Sequence, residues 1–271
     1  MSLERCKISV KKCLTGFHDL ASFSITLLEA LHTATVFGEI SSANIVGYQG
    51  SNIKGGLYYM LTASFDSTKG DGTGITVKDL VTGDIPYGTE MQVRRPEGDY
   101  DIYTYIDEAF DAEATDPALE FVPGWADGVG DLATVKVTPG QTFWLKSETD
   151  CRVTIAGAIL SDVSKTVTVN AGIFSMIGNA YPVDVNPKSI AWTGLTVNDE
   201  LQVRLDAGDY DVYKYTDEAF DASATDPALE FVPGWADGLG DLVSTSILKA
   251  GRGAWIKPAE QVSVTWVSPI E

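Results

Sequence analysis

The segment beginning at Met91, MQVRRPEGDYDIYTYIDEAFDAEATDPALEFVPGWADGVGDL, recurs from Leu201 as LQVRLDAGDYDVYKYTDEAFDASATDPALEFVPGWADGLGDL, with 33 of 42 positions identical at a constant offset of 110. A chain that repeats itself in this way must satisfy one local pattern twice. Downstream the offset becomes 111, pairing Gly140 with Gly251, Trp144 with Trp255, Lys146 with Lys257 and Val153 with Val264. Upstream it becomes 116, pairing Gly56 with Gly172, Met60 with Met176 and Phe65 with Tyr181, so the first copy carries six extra residues in the loop Ser67 to Gly74. A period of about 110 residues is that of a domain rather than of a solenoid repeat. The expected organisation is a leader at 1–43, a first module at 44–160 and a second at 165–271.

Within each copy the local pattern is that of strands. MQVRR, DYDIYTYID, TFWLK and CRVTIAGAI are short, rich in β-branched and aromatic residues and separated by Gly, Pro or Asp, and LQVRL, DYDVYKYTD, GAWIK and VSVTWV repeat them. Helical turns are expected only around DEAF and DPALEF, where Asp116 and Asp226 precede Pro117 and Pro227 and can cap a turn that Pro opens. The fold class read from this is all-β: two tandem homologous β-sandwich or barrel modules, each with a long acidic loop containing short helical turns. Trp144 and Trp255 are expected on equivalent strands, packed into the cores of their own modules. Cys151 pairs with Val262 in a matching alternation and reads as a small hydrophobe.

Charge narrows the partners. Against 38 acidic residues stand 19 basic ones, a formal charge of -19, and the leader's four of each sign cancel, so the excess lies in residues 44–271. Such a body repels phosphate backbones and anionic lipid, which argues against nucleic-acid and membrane-surface partners. No run of 18 apolar residues offers a transmembrane helix. The leader sets basic residues before the apolar stretch Leu20 to Leu28 and ends in Ser41-Ser42-Ala43, a signal-like order. It reads equally as an amphipathic helix, capped by Asp19 and carrying Leu20, Phe23, Leu27 and Leu31 on one face.

Both histidines, His18 and His32, fall in the leader, which removes Ser-His-Asp, Cys-His and His-metal chemistry from the body. GDGTG at 70–74 lacks the strand-helix context of a nucleotide loop and reads as a turn. Carboxylates remain. Asp107, Asp111 and Asp116, with Asp217, Asp221 and Asp226 in the repeat, are the candidate ligands of a hard cation, calcium being the candidate cofactor. Their spacing is not that of an EF-hand, and a solvated acidic loop is the competing reading. A second candidate site is aromatic: Tyr103, Tyr105 and Trp125, with Tyr213, Tyr215 and Trp235, offer rings for stacking a sugar or else fill a small β core. Paired acids also raise glycoside hydrolysis, which needs a defined separation across a cleft.

NIVGYQ at 44–49, the starts GLYYM and GIFSM, the Tyr-rich strand, the loop ending in Trp-x-Asp-Gly and the turn Gly-x-x-[FA]-Trp-[LI]-Lys together resemble the tandem-repeat β modules of uncharacterised bacterial secreted and surface-anchored proteins. That resemblance spans nearly all of 44–271 and implies export and a tandem β architecture, with no catalytic residue attached. The expected function is therefore a non-enzymatic secreted or cell-surface structural or binding module, whose partner is a protein or a glycan. A carbohydrate-binding module, with or without calcium, is the first alternative and an Asp/Glu-dependent hydrolase the second.

Overall fold

Period-two alternation of apolar residues builds this protein out of strands. The computed structural model describes residues 46–67, 70–95 and 98–269, so the leader and its histidines lie outside the described residues. Residues 44–271 form one unit. In its first half run β1 (Val46–Ile53), β2 (Tyr58–Thr62), β3 (Ile75–Thr76), the one-turn helix α1 (Val77–Leu80), β4 (Thr82–Gly83), β5 (Glu90–Arg94), β6 (Tyr100–Phe110), β7 (Phe121–Ala126), β8 (Lys136–Val137), β9 (Thr142–Lys146) and β10 (Cys151–Ala158). The second half holds β11 (Ser164–Val169), β12 (Ser175–Gly178), β13 (Ala191–Thr193), β14 (Glu200–Arg204), β15 (Tyr210–Phe220), β16 (Phe231–Ala236), β17 (Gly253–Lys257) and β18 (Val262–Val267).

Two five-stranded sheets, ordered β2-β9-β5-β6-β7 and β12-β17-β14-β15-β16, each accompany a three-stranded sheet, β1-β10-β4 and β11-β18-β13, with β3-β8 as a further pair. The pairings are antiparallel and the sheets open, so of the two architectures expected from sequence the barrel is not formed. In the first half Ile53, Val153 and Ile155 of the smaller sheet share a core with Leu61, Val93, Phe143 and Leu145 of the larger. The second core gathers Ile177, Leu201, Ile256, Val262, Val264 and Trp266. Burying each such side chain contributes roughly 1.5–3 kcal/mol. Cys151 packs partly buried against the first core, and burial pushes its thiol up.

Two expectations are corrected. DEAF is strand, not helix, lying at the ends of β6 and β15. There a bulge interrupts the register between Ile106 and Ala109, and between Thr216 and Ala219, placing an extra residue opposite β7 and β16. Trp144 and Trp255 do not fill their own cores. Phe143 and Leu145, Ala254 and Ile256 point inward, so the pleat turns both tryptophans to the opposite face. There they meet each other across the two halves, ring centroids 6.0 Å apart, with the Arg204 guanidinium 5.7 Å from the Trp144 ring centre.

The halves also meet through the edge strands β2 and β12 and the residues beside them. Thr62 donates its backbone N–H to Gly251 O at 2.9 Å, Leu61 bridges Arg252, and Ser64 Oγ donates to Asn179 O at 2.9 Å in a buried position. Arg94 Nη1 donates to Phe174 O at 3.0 Å, while Arg204 lies 5.9 Å from the Tyr59 ring centre in the other direction. Glycine permits the approach: a Cβ at Gly178 would sit 2.0 Å from Thr62 Oγ1 and 2.7 Å from Thr62 Cβ. Gly178→Val should therefore destabilise the chain by about 1–3 kcal/mol in urea unfolding, and adding Thr62→Gly should reduce that loss. An unchanged midpoint in Gly178→Val would mean that the halves do not press together here.

Candidate functional site

The near-identical segments fold into matching hairpins. Phe110 meets Phe121 at 5.6 Å and Phe220 meets Phe231 at 5.6 Å, and the neck of each loop is tied by Asp111 N to Glu120 O and Asp221 N to Glu230 O, both 2.7 Å. Beyond the neck, Pro117–Leu119 and Pro227–Leu229 are single 3-10 turns. Their caps are the expected ones: Asp116 Oδ1 accepts from Ala118 N at 3.0 Å and Asp226 Oδ1 from Ala228 N at 2.9 Å.

Asp111, Asp127, Asp221 and Asp237 follow the same rule, each accepting backbone N–H groups of its own turn. Asp111 takes Glu113 N at 3.0 Å, and Asp127 takes Val129, Gly130 and Asp131 N at 2.9, 3.1 and 3.1 Å. Asp221 accepts from Ser223 N and Oγ and from Lys188 Nζ, the latter at 3.0 Å. The Ser223 hydroxyl and then Lys188 hold the Asp221 carboxyl down at about 2. Asp107 and Asp217 stand exposed on the strand bulges. Among the described residues no three His, Cys, Asp or Glu side chains converge in a way that would hold a metal ion.

The six predicted aromatic residues take three different environments. Tyr103 and Trp125 lie inside the first core at 4% and 0% exposure, and Trp125 Nε1 donates to Val81 O at 3.1 Å. Tyr105 is partly buried, edge-on to Trp125 at 5.4 Å and covered by the nearly parallel ring of Tyr87 at 5.9 Å. In the second half Tyr213 lines an acidic cleft of about 680 Å³ together with Asp211, Asp221, Asp237 and Asp241, so one aromatic and one carboxylate candidate are brought together there. Burial, then the neighbouring Asp211, pushes the Tyr213 phenol up. Tyr215 and Trp235 instead line a smaller pocket of about 320 Å³ beside Trp192, Pro187 and Pro233. Trp192 escaped sequence reasoning because it lies outside the near-identical segment; the two-tryptophan contact it makes with Trp235, 5.4 Å between ring centres, has no local signature.

Comparison of the chain with family models, curated proteins and solved structures finds no match. The reading of function therefore rests on the geometry described above.

Asp221 offers a direct check of this loop. Its folded value lies below the ordinary 3.8, so its contribution to stability is complete above the ordinary carboxylate range and is lost as the pH falls through about 2. Carbon-detected titration should find its midpoint near 2, and Ser223→Ala or Lys188→Ala should move it upward. A midpoint already near 3.8 in the unaltered chain would refute the arrangement.

Proposed function

We propose that residues 44–271 are two copies of one β module, fused into a non-enzymatic secreted or cell-surface binding unit that presents two equivalent loops to a partner protein or glycan. One observation carries this reading: identity between the halves is concentrated where the chain is exposed. Between 107 and 132 only Glu113 and Val129 differ from their counterparts, Ser223 and Leu239. The cores, by contrast, have drifted, with Phe65 against Tyr181, Phe143 against Ala254 and Ile155 against Trp266. Packing constrains a core, whereas an exposed loop is free to vary unless something touches it.

The retained surface is apolar within an acidic frame. Leu119 and Leu229 are 57 and 58% exposed and Phe121 and Phe231 60 and 59%, and at the altered position Val129 and Leu239 are both aliphatic and more exposed still. Carboxylates that are occupied in capping their own turns hold these side chains outward. The same employment, together with the lack of histidine in the body, is what favours binding over hydrolysis. Export joins the proposal on the signal-like leader and the acidic balance.

A photo-crosslinking residue at Leu119, and separately at Leu229, tests it on the surface of intact source cells. Both should capture the same adduct, which a probe at the exposed Val163, outside the loops, should not. Identical patterns from all three positions would overturn the reading. Phe121→Asp with Phe231→Asp should abolish capture, while the loss of the ring contacts with Phe110 and Phe220 should cost about 1–3 kcal/mol in unfolding and leave the chain folded.

A further inference from the structure

β1 is an edge strand whose outer side is unpaired. Its one neighbour is β10, which it meets from Val46 opposite Ala158 to Ile53 opposite Cys151. In an antiparallel pair every second residue turns both its N–H and its C=O away from the partner strand. Among the described residues no backbone group meets those of 46–53 from the far side. Lysine, proline or a very short strand are the usual guards of such an edge. The eight residues VGYQGSNI contain neither lysine nor proline, and Val46 and Tyr48 stand 67 and 80% exposed among them.

A cleft of about 960 Å³ runs beside this edge. Successive strand residues point to opposite faces, so a cavity over one face touches every second residue. This cavity touches all of Gln49 to Lys54, and therefore lies along the edge itself. The equivalent strand is β11, where Val169 faces Val262 as Ile53 faces Cys151 in the first half. There Lys165 stands in place of Gln49, and the neighbouring cleft takes only Lys165 and Val167 from the strand, which is one face of it. Of the two strands, only β1 presents an open and unguarded edge.

The charge of the cleft is opposite to that of the chain. Lys54, Arg152, Lys249 and Arg252 line it against Asp150 and Asp206. Arg252 pairs with Asp206 at 3.3 Å, Lys249 with Asp184 at 3.0 Å, and Asp150 Oδ1 accepts from Gly55 N at 2.8 Å. Lys54 and Arg152 form no ion pair among the described residues, in a chain with 38 acidic and 19 basic residues. Arg152 belongs to β10, and the lack of a side chain at Gly50 leaves room for its guanidinium to lie across β1: a Cβ there would stand 3.1 Å from Nη2.

A row of free backbone donors and acceptors is complemented by another peptide backbone, and the cations beside it by carboxylates. We propose that the edge of β1 takes up an extended acidic segment of a partner protein as an added strand, its carboxylates meeting Arg152 and Lys54. This site is separate from the paired loops and does not rest on them.

The probe is the fluorescein-labelled hexapeptide Glu-Val-Glu-Val-Glu-Val, compared with Lys-Val-Lys-Val-Lys-Val and with the acidic peptide methylated at every peptide nitrogen. Added to the full-length chain at low salt, the acidic peptide should bind saturably by fluorescence anisotropy, and the other two should not. On binding, amide hydrogen exchange should slow across 46–53 and stay unchanged across 164–169. Lys54→Glu with Arg152→Glu should weaken binding about tenfold, as expected for two exposed ion pairs turned repulsive, while exchange across β5 and β9 stays that of the unaltered chain. The proposal is overturned if the acidic peptide does not bind, if the methylated or the basic peptide binds as well as it does, or if the double variant binds as the unaltered chain does. It is also overturned if the slowed exchange falls on β11, or if raising the chain's own concentration slows exchange across 46–53 without peptide, since the edge would then serve a second copy. Loss of crosslinking at Leu119 and Leu229 would leave these results untouched, so the two readings fail separately.

Discussion

Everything in the body is arranged around one close approach, where β2 and β12, each an edge of its own five-stranded sheet, come together. Exposed sheet edges invite uncontrolled pairing, and here each half covers the other's. Positions that align in the sequence meet one another: Thr62 faces Gly178, and Trp144 faces Trp255. The aligned pair Arg94 and Arg204 each reach into the opposite half, one to Phe174 O and one to the ring of Tyr59. Self-meeting of equivalent residues is the geometry of an isologous contact, which on the proposed duplication would be that of a dimer joined into one chain. At the centre of such a contact two identical side chains compete for one space, and the pair Thr62 and Gly178 resolves the competition by giving the space to one of them.

Charge follows the same seam. Two clefts of about 420 and 960 Å³ flank the contact, the first lined by Arg94, Arg95 and Lys165, the second by Lys54, Arg152, Lys249 and Arg252 with Asp150 and Asp206. Seven of the 19 basic residues of a strongly acidic chain thus gather where its halves join. Cations held at the join offset repulsion between two bodies that each carry excess carboxylate, and their guanidinium planes find ring faces there, as Arg252 does 5.1 Å from the Tyr59 ring centre. Solvent-facing acidity and a basic seam are then parts of one electrostatic arrangement.

Much of the strand content was legible because pleat and composition act locally. The Asp-Pro caps were readable for the same reason: Asp116 and Ala118 are two residues apart, and nothing distant is needed to satisfy the turn. DEAF misled because its acidic residues suit a helix start, while the outcome was decided by pairing with β7 and β16, which sequence does not contain. Trp144 misled differently. Its alternation was correctly periodic, but which face of a strand turns to the core depends on neighbours, and Phe143 and Leu145 claimed it. The pocket around Trp235 was half legible: Tyr215 and Trp235 could be named from the repeat, whereas Trp192 joins them only through the fold.

The differences between the halves carry as much functional information as the likenesses. The halves keep their exposed loops with changes only at Glu113 and Val129, yet one half fills its aromatic cluster with its own tyrosine and the other does not. Tyr87 in the first half gains ring contact, lying nearly parallel over Tyr105. Val197 in the second half gives up that contact and leaves a half-exposed aliphatic side chain instead. A stacked pair is worth about 0.5–1.5 kcal/mol, and an unsatisfied indole N–H adds a further cost in the same half. Around this cluster the first half therefore holds the more stable arrangement, because it makes both the ring contact and the indole hydrogen bond that the second half lacks.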